Sequence, residues 1–269
     1  MTGYTYGQAD DALESFLWTE SVLGHGHDLL RMADRLRPSS GWPSHSVDVN
    51  AGVAIVDLPG CPAYGFAARL ADLAKEISGH SAAEGLGIVE VAGAFGGWVA
   101  PYIAYRLARG NQHAAVLWRP GSTPPEGEAP SMLVVAAPAG MDKIVPPLLV
   151  TPGAIDARGD GIVAGRGSIP ARALEQLQKA IRTNRQTSAL SIVTLRNTGA
   201  EQAVDMRSAI NLLKEAGLPD DLVSLDASSR LRGALQNGMQ VPPEDFKFLN
   251  SLAQRIRLPN TERSKAQAG

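Results

Sequence analysis

The sequence predicts an α/β protein: a mixed β-sheet flanked by helices, entered through a helical N-terminal element. Short β-branched runs such as GVAIVDL (52–58), GLGIVEVAG (85–93) and HAAVLW (113–118) are separated by segments with helical spacing. Other runs stand in adjacent pairs, most clearly MLVVAAP (132–138) with IVPPLLV (144–150). Pairs of that kind favour a mixed sheet over strict βαβ winding. At 269 residues without internal repeats, the chain reads as a single α/β domain spanning 1–269.

Residues 10–23 read as an amphipathic helix with Leu13, Phe16, Leu17 and Leu23 on its apolar side. A second helix is expected from about His27 to Leu36, stopped by RPSSGWP. In 63–78 the apolar residues Phe66, Leu70, Leu73, Ala74 and Ile77 keep helical spacing, and 98–110 forms a helix that Gly110 ends. The Pro- and Gly-rich stretch 119–131 is a flexible loop by composition. Further helices are expected at 169–184, with Pro170 in the first turn, at 200–217 and at 242–256, and a strand at 189–195. Residues 156–167 are punctuated by glycine, and the polar tail 258–269 is loosely held.

Bulk properties exclude several classes. The net charge of −2 offers no basic field for nucleic acid. A single cysteine, Cys61, rules out an internal disulfide and any cysteine-based zinc site, and beside a proline it reads as a small buried hydrophobe. The apolar runs fall far short of the roughly 20 residues that span a bilayer. The N-terminus has no signal-peptide pattern, so a cytoplasmic protein without a membrane partner is expected.

The glycine-rich turn GAFGG follows a strand and opens a helix. Gly93, Gly96 and Gly97 do not have the G-x-G-x-x-G spacing that a Rossmann turn needs, so they read as room for a tight helix start, where backbone N–H groups can also receive an anion. His25 and His27, two apart, point different ways on a helix, while His45, His80 and His113 are scattered, so no metal is expected. No G-x-S-x-G nucleophile turn occurs. His27 and Arg31, four apart, do share a helical face. An imidazole beside a guanidinium suits a substrate with a carboxylate next to a carbonyl or imine: Arg31 clamps the carboxylate and His27 handles the proton. The alternative is that Arg31 pairs with Asp28 or Asp34 on a solvated face while the histidines cap the helix.

Over residues 13 to 118, the order of these features resembles the type-2 malate/L-lactate dehydrogenase family, non-Rossmann NAD(P)H-dependent oxidoreductases. LWTESVLGHGHDLLR (17–31) is similar to the family's L-x-x-A-D-x-x-G-x-x-S-H-G-V-x-R. VAIVDLPG, GFAARLADLAKEIS and IVEVAGAFGGW follow in the family's order, and SMLVVAAPAG is similar to its P-L-A-I-A-x-P. The resemblance implies that His27 is the catalytic histidine and Arg31 the carboxylate anchor. It further implies that Ala136, Ala137 and Pro138 lie against NAD or NADP, and that the protein is a homodimer. The departures are Ala94, where H-F-G has its histidine, and Val150 or Thr151 near the Asp of L-D-M-A-T-S; the later G-H-K-G-Y-G segment is absent. The C-terminal LNSLAQRIRLPNTERSKAQAG is similar to the tail of a related uncharacterised bacterial family.

Three functions follow. The first is reduction of a small 2-oxo acid or cyclic imino acid with NAD(P)H. The second is a cofactor-free enzyme on the same scaffold, moving a proton or hydrolysing a carboxylate substrate. The third is a non-catalytic binding or partner subunit.

Overall fold

The computed structural model describes residues 6–36, 46–50, 52–80, 85–139, 144–151, 168–183, 189–197, 203–217, 222–239 and 241–256. His45, the glycine-rich 156–167 and the tail 258–269 lie outside them. The fold is a mixed α/β sheet flanked by helices, as expected. Its strands are β1 (Ser46–Asn50), β2 (Val53–Asp57), β3 (Leu86–Ala92), β4 (Gln112–Arg119), β5 (Met132–Ala136), β6 (Leu148–Val150), β8 (Ala189–Arg196) and β10 (Val223–Leu225), in the order β1-β2-β3-β8-β4-β5-β6-β10. Among the described strands only β2 and β3 pair in parallel; they are joined by helix α3 (Ala67–His80), and the other described pairs in this sheet are antiparallel. A two-stranded ribbon, β7 (Ser168–Pro170) with β9 (Ala203–Asp205), leads into the next two helices.

Strand alternation sorts the core into two layers. Ala114, Val116, Trp118, Met132, Val134, Leu190 and Ile192 face α1 (Tyr6–Leu23), α2 (Gly26–Leu36), α3 and α4 (Ala100–Arg109). Ala115, Leu117, Leu133, Val135, Val193 and Leu195 face α5 (Ala171–Thr183) and α6 (Met206–Glu215). α7 (Ala227–Asn237) joins the first layer through Ala227, and α8 (Pro243–Ile256) follows it. No helix among the described residues is long and apolar enough to cross a membrane.

Four expectations change. Pro170, expected in the first turn of a helix, is the last residue of β7, and α5 starts at Ala171. In IVPPLLV only Leu148–Val150 form a strand, since Pro146 and Pro147 have no N–H to give a ladder. The segment expected as helix from 200 begins as strand β9, and α6 starts at Met206, capped by Asp205 accepting from Ser208 N–H at 3.1 Å. In α1 the expected apolar side is buried only in part: Leu23 is buried and Phe16 half-buried. Leu13 and Leu17 are 54% and 39% exposed, whereas Ala12, Ser15, Trp18, Thr19 and Val22 are buried. Ser15 makes that face buriable, because its hydroxyl donates to Tyr64 O at 2.9 Å and Ala12 O at 3.0 Å.

Candidate functional site

The site grows from the α1–α2 corner. Gly24, at φ +77°, ends α1, and its N–H donates to Glu20 O at 3.0 Å. Gly26 then starts α2 so close to α1 that a Cβ there would stand 2.7 Å from Phe16 O. This corner sends the two histidines apart. His25 lies flat on Trp98, ring centroids 3.8 Å apart and planes at 14°, with Nδ1 2.9 Å from Asp28 Oδ2. His27 turns to Glu20, whose Oε2 accepts from the His27 N–H at 3.0 Å and sits 3.2 Å from Nδ1. With Nδ1–H held there, the network assigns the exchangeable proton position to Nε2. Nε2 stands 3.5 Å from both Asp28 Oδ1 and Asp245 Oδ2.

Arg31 lies one turn further along α2. It pairs with Asp245 of α8, a carboxylate 5% exposed, and its guanidinium carbon is 5.3 Å from the Phe248 ring centre. Among the described residues its Nε has no hydrogen-bond partner. Beside it opens a cleft of about 430 Å³, lined by Asp28, Arg31, Asp34, Arg35, Glu126 and Phe248 among others. Three carboxylates against two guanidinium groups make this cleft acidic. Burial pushes the Asp28 carboxyl up, but its bond to His25 and the charges of His27, His25 and Arg31 outweigh burial and hold it below the ordinary 3.8.

The loop at 119–131 closes the site's far wall. Arg35 donates to the side chain and carbonyl of Glu126, and Trp98 Nε1 donates to Gly127 O at 2.8 Å. Glu128 fills the anion position expected at the glycine-rich turn: Gly96 N–H donates to it at 2.7 Å, and Gly97 and Ala129 N–H at 2.8 Å each. Nothing in its local sequence marks Glu128 for this role. The local sequence does not mark Asp245 either, beyond the acidic first turn of the last helix.

His27 and Arg31 are brought together, on one face and against one carboxylate. Ala136, Ala137 and Pro138 are elsewhere. Ala139 N–H donates to Ala108 O, at the end of α4 opposite Trp98, and ten helical residues span about 15 Å. Ala136 also pairs with Ala114, four residues along β4 from Trp118, against which Gly97 is packed. Ala94 and Val150 are buried, and Thr151 Oγ1 accepts from Leu133 N–H at 3.4 Å, so none of the three offers an acid or base. Among the described residues no group of three or more His, Cys, Asp or Glu is arranged to hold a metal ion.

No family model and no curated protein matches the chain. Solved structures do. A suspected malate/lactate dehydrogenase from E. coli superimposes with a TM-score of 0.61 at 13% identity, covering 98% of this chain and 93% of that one. Malate dehydrogenase from Pyrococcus horikoshii OT3 gives 0.56 at 14% identity, with coverage of 94% and 88%. Delta1-piperideine-2-carboxylate reductase from Pseudomonas syringae pvar. tomato gives 0.53 at 14%, with coverage of 93% and 94%. The chain has the fold of these dehydrogenases and reductases. At such identities the likeness is one of fold.

Proposed function

We propose that the chain is an oxidoreductase-like enzyme acting on a small cyclic imino acid or 2-oxo acid, with His27 moving the proton and Arg31 anchoring the carboxylate. The observation that carries this reading is the convergence of His27 and Arg31 on Asp245 from one face of α2. Glu20 holds the His27 ring by Nδ1, so Nε2 is the atom that gives a proton to an imine nitrogen or a carbonyl oxygen. The acidic cleft beside Arg31 favours the imino acid, because a protonated imine brings a positive charge that a 2-oxo acid lacks.

The segment that the resemblance sets against a nicotinamide cofactor, Ala136–Pro138, does not stand beside His27 within one chain. Ala136, Ala137 and Pro138 lie along α4 from the His25–Trp98 corner, and the backbone anion position there holds Glu128. A second copy whose Ala136–Pro138 segment faced His27 would bring the two together, so a homodimer and NAD or NADP dependence belong to the proposal. Thermal shift with NADH or NADPH, together with delta1-piperideine-2-carboxylate or pyruvate, tests it. Binding should raise the Tm, and His27→Ala should cut turnover by about 10²–10⁴-fold. Failure of both nicotinamides to bind at millimolar concentration overturns it.

The occupied anion position favours a second reading, a cofactor-free proton-transfer enzyme on a carboxylate substrate. That enzyme would show His27-dependent activity with no nicotinamide present.

A further inference from the structure

On the other side of α1 from His27, four helices enclose a cleft of about 770 Å³, within the size range of small-molecule sites. α1, α3, α4 and α7 each give it one face at helical spacing. Its floor is aromatic: Trp18 stands 5.7 Å from Tyr102 and 5.3 Å from Tyr105, centre to centre. One wall, from α7 and the residues just after it, is apolar, with Leu231, Leu235 and Met239. Leu235 is 81% exposed, although it faces this concavity.

The opposite wall is charged. Lys75, Arg106 and Arg109 face Glu14 and Asp72, three cations against two carboxylates. Both carboxylates are drawn to Arg106, which reaches Asp72 at 3.1 Å and Glu14 at 3.4 Å. Lys75 and Arg109 have no carboxylate partner among the described residues. Among the described residues, two buried donors at the floor have no hydrogen-bond partner, Trp18 Nε1 and Arg106 Nε, while the Tyr102 hydroxyl faces Glu14 and Arg106. Both donate N–H, and an unsatisfied buried donor costs free energy. What the cleft lacks is an acceptor with one negative charge, next to an apolar surface that needs cover.

We propose that this cleft binds a small amphipathic monoanion, a carboxylate carried on an aromatic or branched apolar body. The carboxylate faces Lys75 and Arg109 and accepts from the floor donors, and the apolar body covers Leu231, Leu235 and Met239. Burial and the nearby Glu14 carboxylate push the Tyr102 phenol above its ordinary value, so it meets the ligand as a donor.

The test is calorimetric titration of the full chain with phenylacetate and with its neutral amide, phenylacetamide. Saturable binding is expected with Kd at or below about 1 mM, and at least about tenfold weaker for the amide. Tyr102→Phe keeps the ring on Trp18 and removes only the hydroxyl that faces Glu14 and Arg106, so the variant should fold while binding phenylacetate several-fold more weakly. Arg109→Gln should also weaken it, and His27→Ala should leave it unchanged, which separates this site from the one at α2. No saturable binding, equal binding of the amide, or undiminished binding in both Tyr102→Phe and Arg109→Gln overturns the proposal. So does a chain whose dimer dissociates on Leu235→Asp, because a second copy would then cover the cleft.

Discussion

Arg31 on α2 and Asp245 on α8 form an ion pair across 214 residues of chain, with Asp245 almost wholly buried and Arg31 39% exposed. Asp245 also faces His27 Nε2 at 3.5 Å, so one carboxylate orients both candidate functional groups. Replacing it by asparagine keeps the shape and removes the charge. Asp245→Asn should lower stability by about 1–3 kcal/mol, because the charge-assisted bond to Arg31 is lost and Arg31 keeps its charge without its partner. It should also tighten binding of a substrate carboxylate to Arg31, which no longer has an internal competitor. Urea denaturation reads the first effect and pyruvate titration the second. Unchanged values in both would remove Asp245 from the site.

Glu128 ties stability to pH. Burial pushes its carboxyl up, and the N–H groups of Gly96, Gly97 and Ala129 pull it back only in part, so it titrates above its ordinary 4.5. The folded chain therefore holds this proton more tightly than the unfolded chain. The group's stabilising contribution is complete below pH 4.5 and is lost as pH rises through the raised value. Glu128→Gln has no such titration. Urea midpoints at pH 7 and pH 5 should show the parent gaining on this variant at the lower pH; a constant gap would refute the assignment.

Asp28 has the opposite sign. Its folded value is held below 3.8, so its contribution is present above pH 3.8 and is lost as pH falls through the depressed value. Asp28→Asn should be less stable than the parent at neutral pH, with the gap closing in acid. Acid titration followed by circular dichroism checks this. Parallel acid transitions of the two proteins would sink it.

Periodicity carried most of the helices and the central strands. The helix expected at 27–36 is α2, and the strand expected at 113–118 is the core of β4. Side-chain spacing also brought His27 and Arg31 onto one face. It could not reveal that β8 inserts between β3 and β4, because that pairing is decided by packing on both faces of the sheet. Nor could it orient α1. Leu13 and Leu17 outrank Ser15 and Thr19 in hydrophobicity, yet Trp18 packing on Tyr102 and the Ser15 bond to Tyr64 O turn the helix the other way. Asp245 and Glu128 reach the site from distant segments, and no local pattern marks such a contact.

Gly97 is required by volume. A Cβ at this position would stand 2.2 Å from the Trp118 indole, which is itself buried and donates to Ala129 O at 3.3 Å. Neither partner can yield without moving α4 or β4. Gly97→Ala should therefore cost about 3 kcal/mol or more. Gly79→Ala, where a Cβ meets nothing within 4 Å, is the control and should be neutral or stabilising. Equal urea midpoints for the two variants would show that the α4 start is loose.

Gly26 sets the entry of α2 and, through it, the reach of His27. A Cβ at this position would meet Glu20 Cβ and Phe16 O, each at 2.7 Å, and Glu20 is the residue that holds His27 by its backbone N–H and by Nδ1. Relief of that clash has to push α2 off α1, lengthening both bonds to Glu20. Gly26→Ala should cost about 1–3 kcal/mol and strip the His27 amide of its protection against hydrogen exchange. Glu20→Gln, which retains an acceptor oxygen, should lower that protection less. If the His27 amide in Gly26→Ala stays as protected as in the parent, the α1–α2 contact does not position the imidazole, and His27 owes its orientation to Asp28 and Asp245 alone.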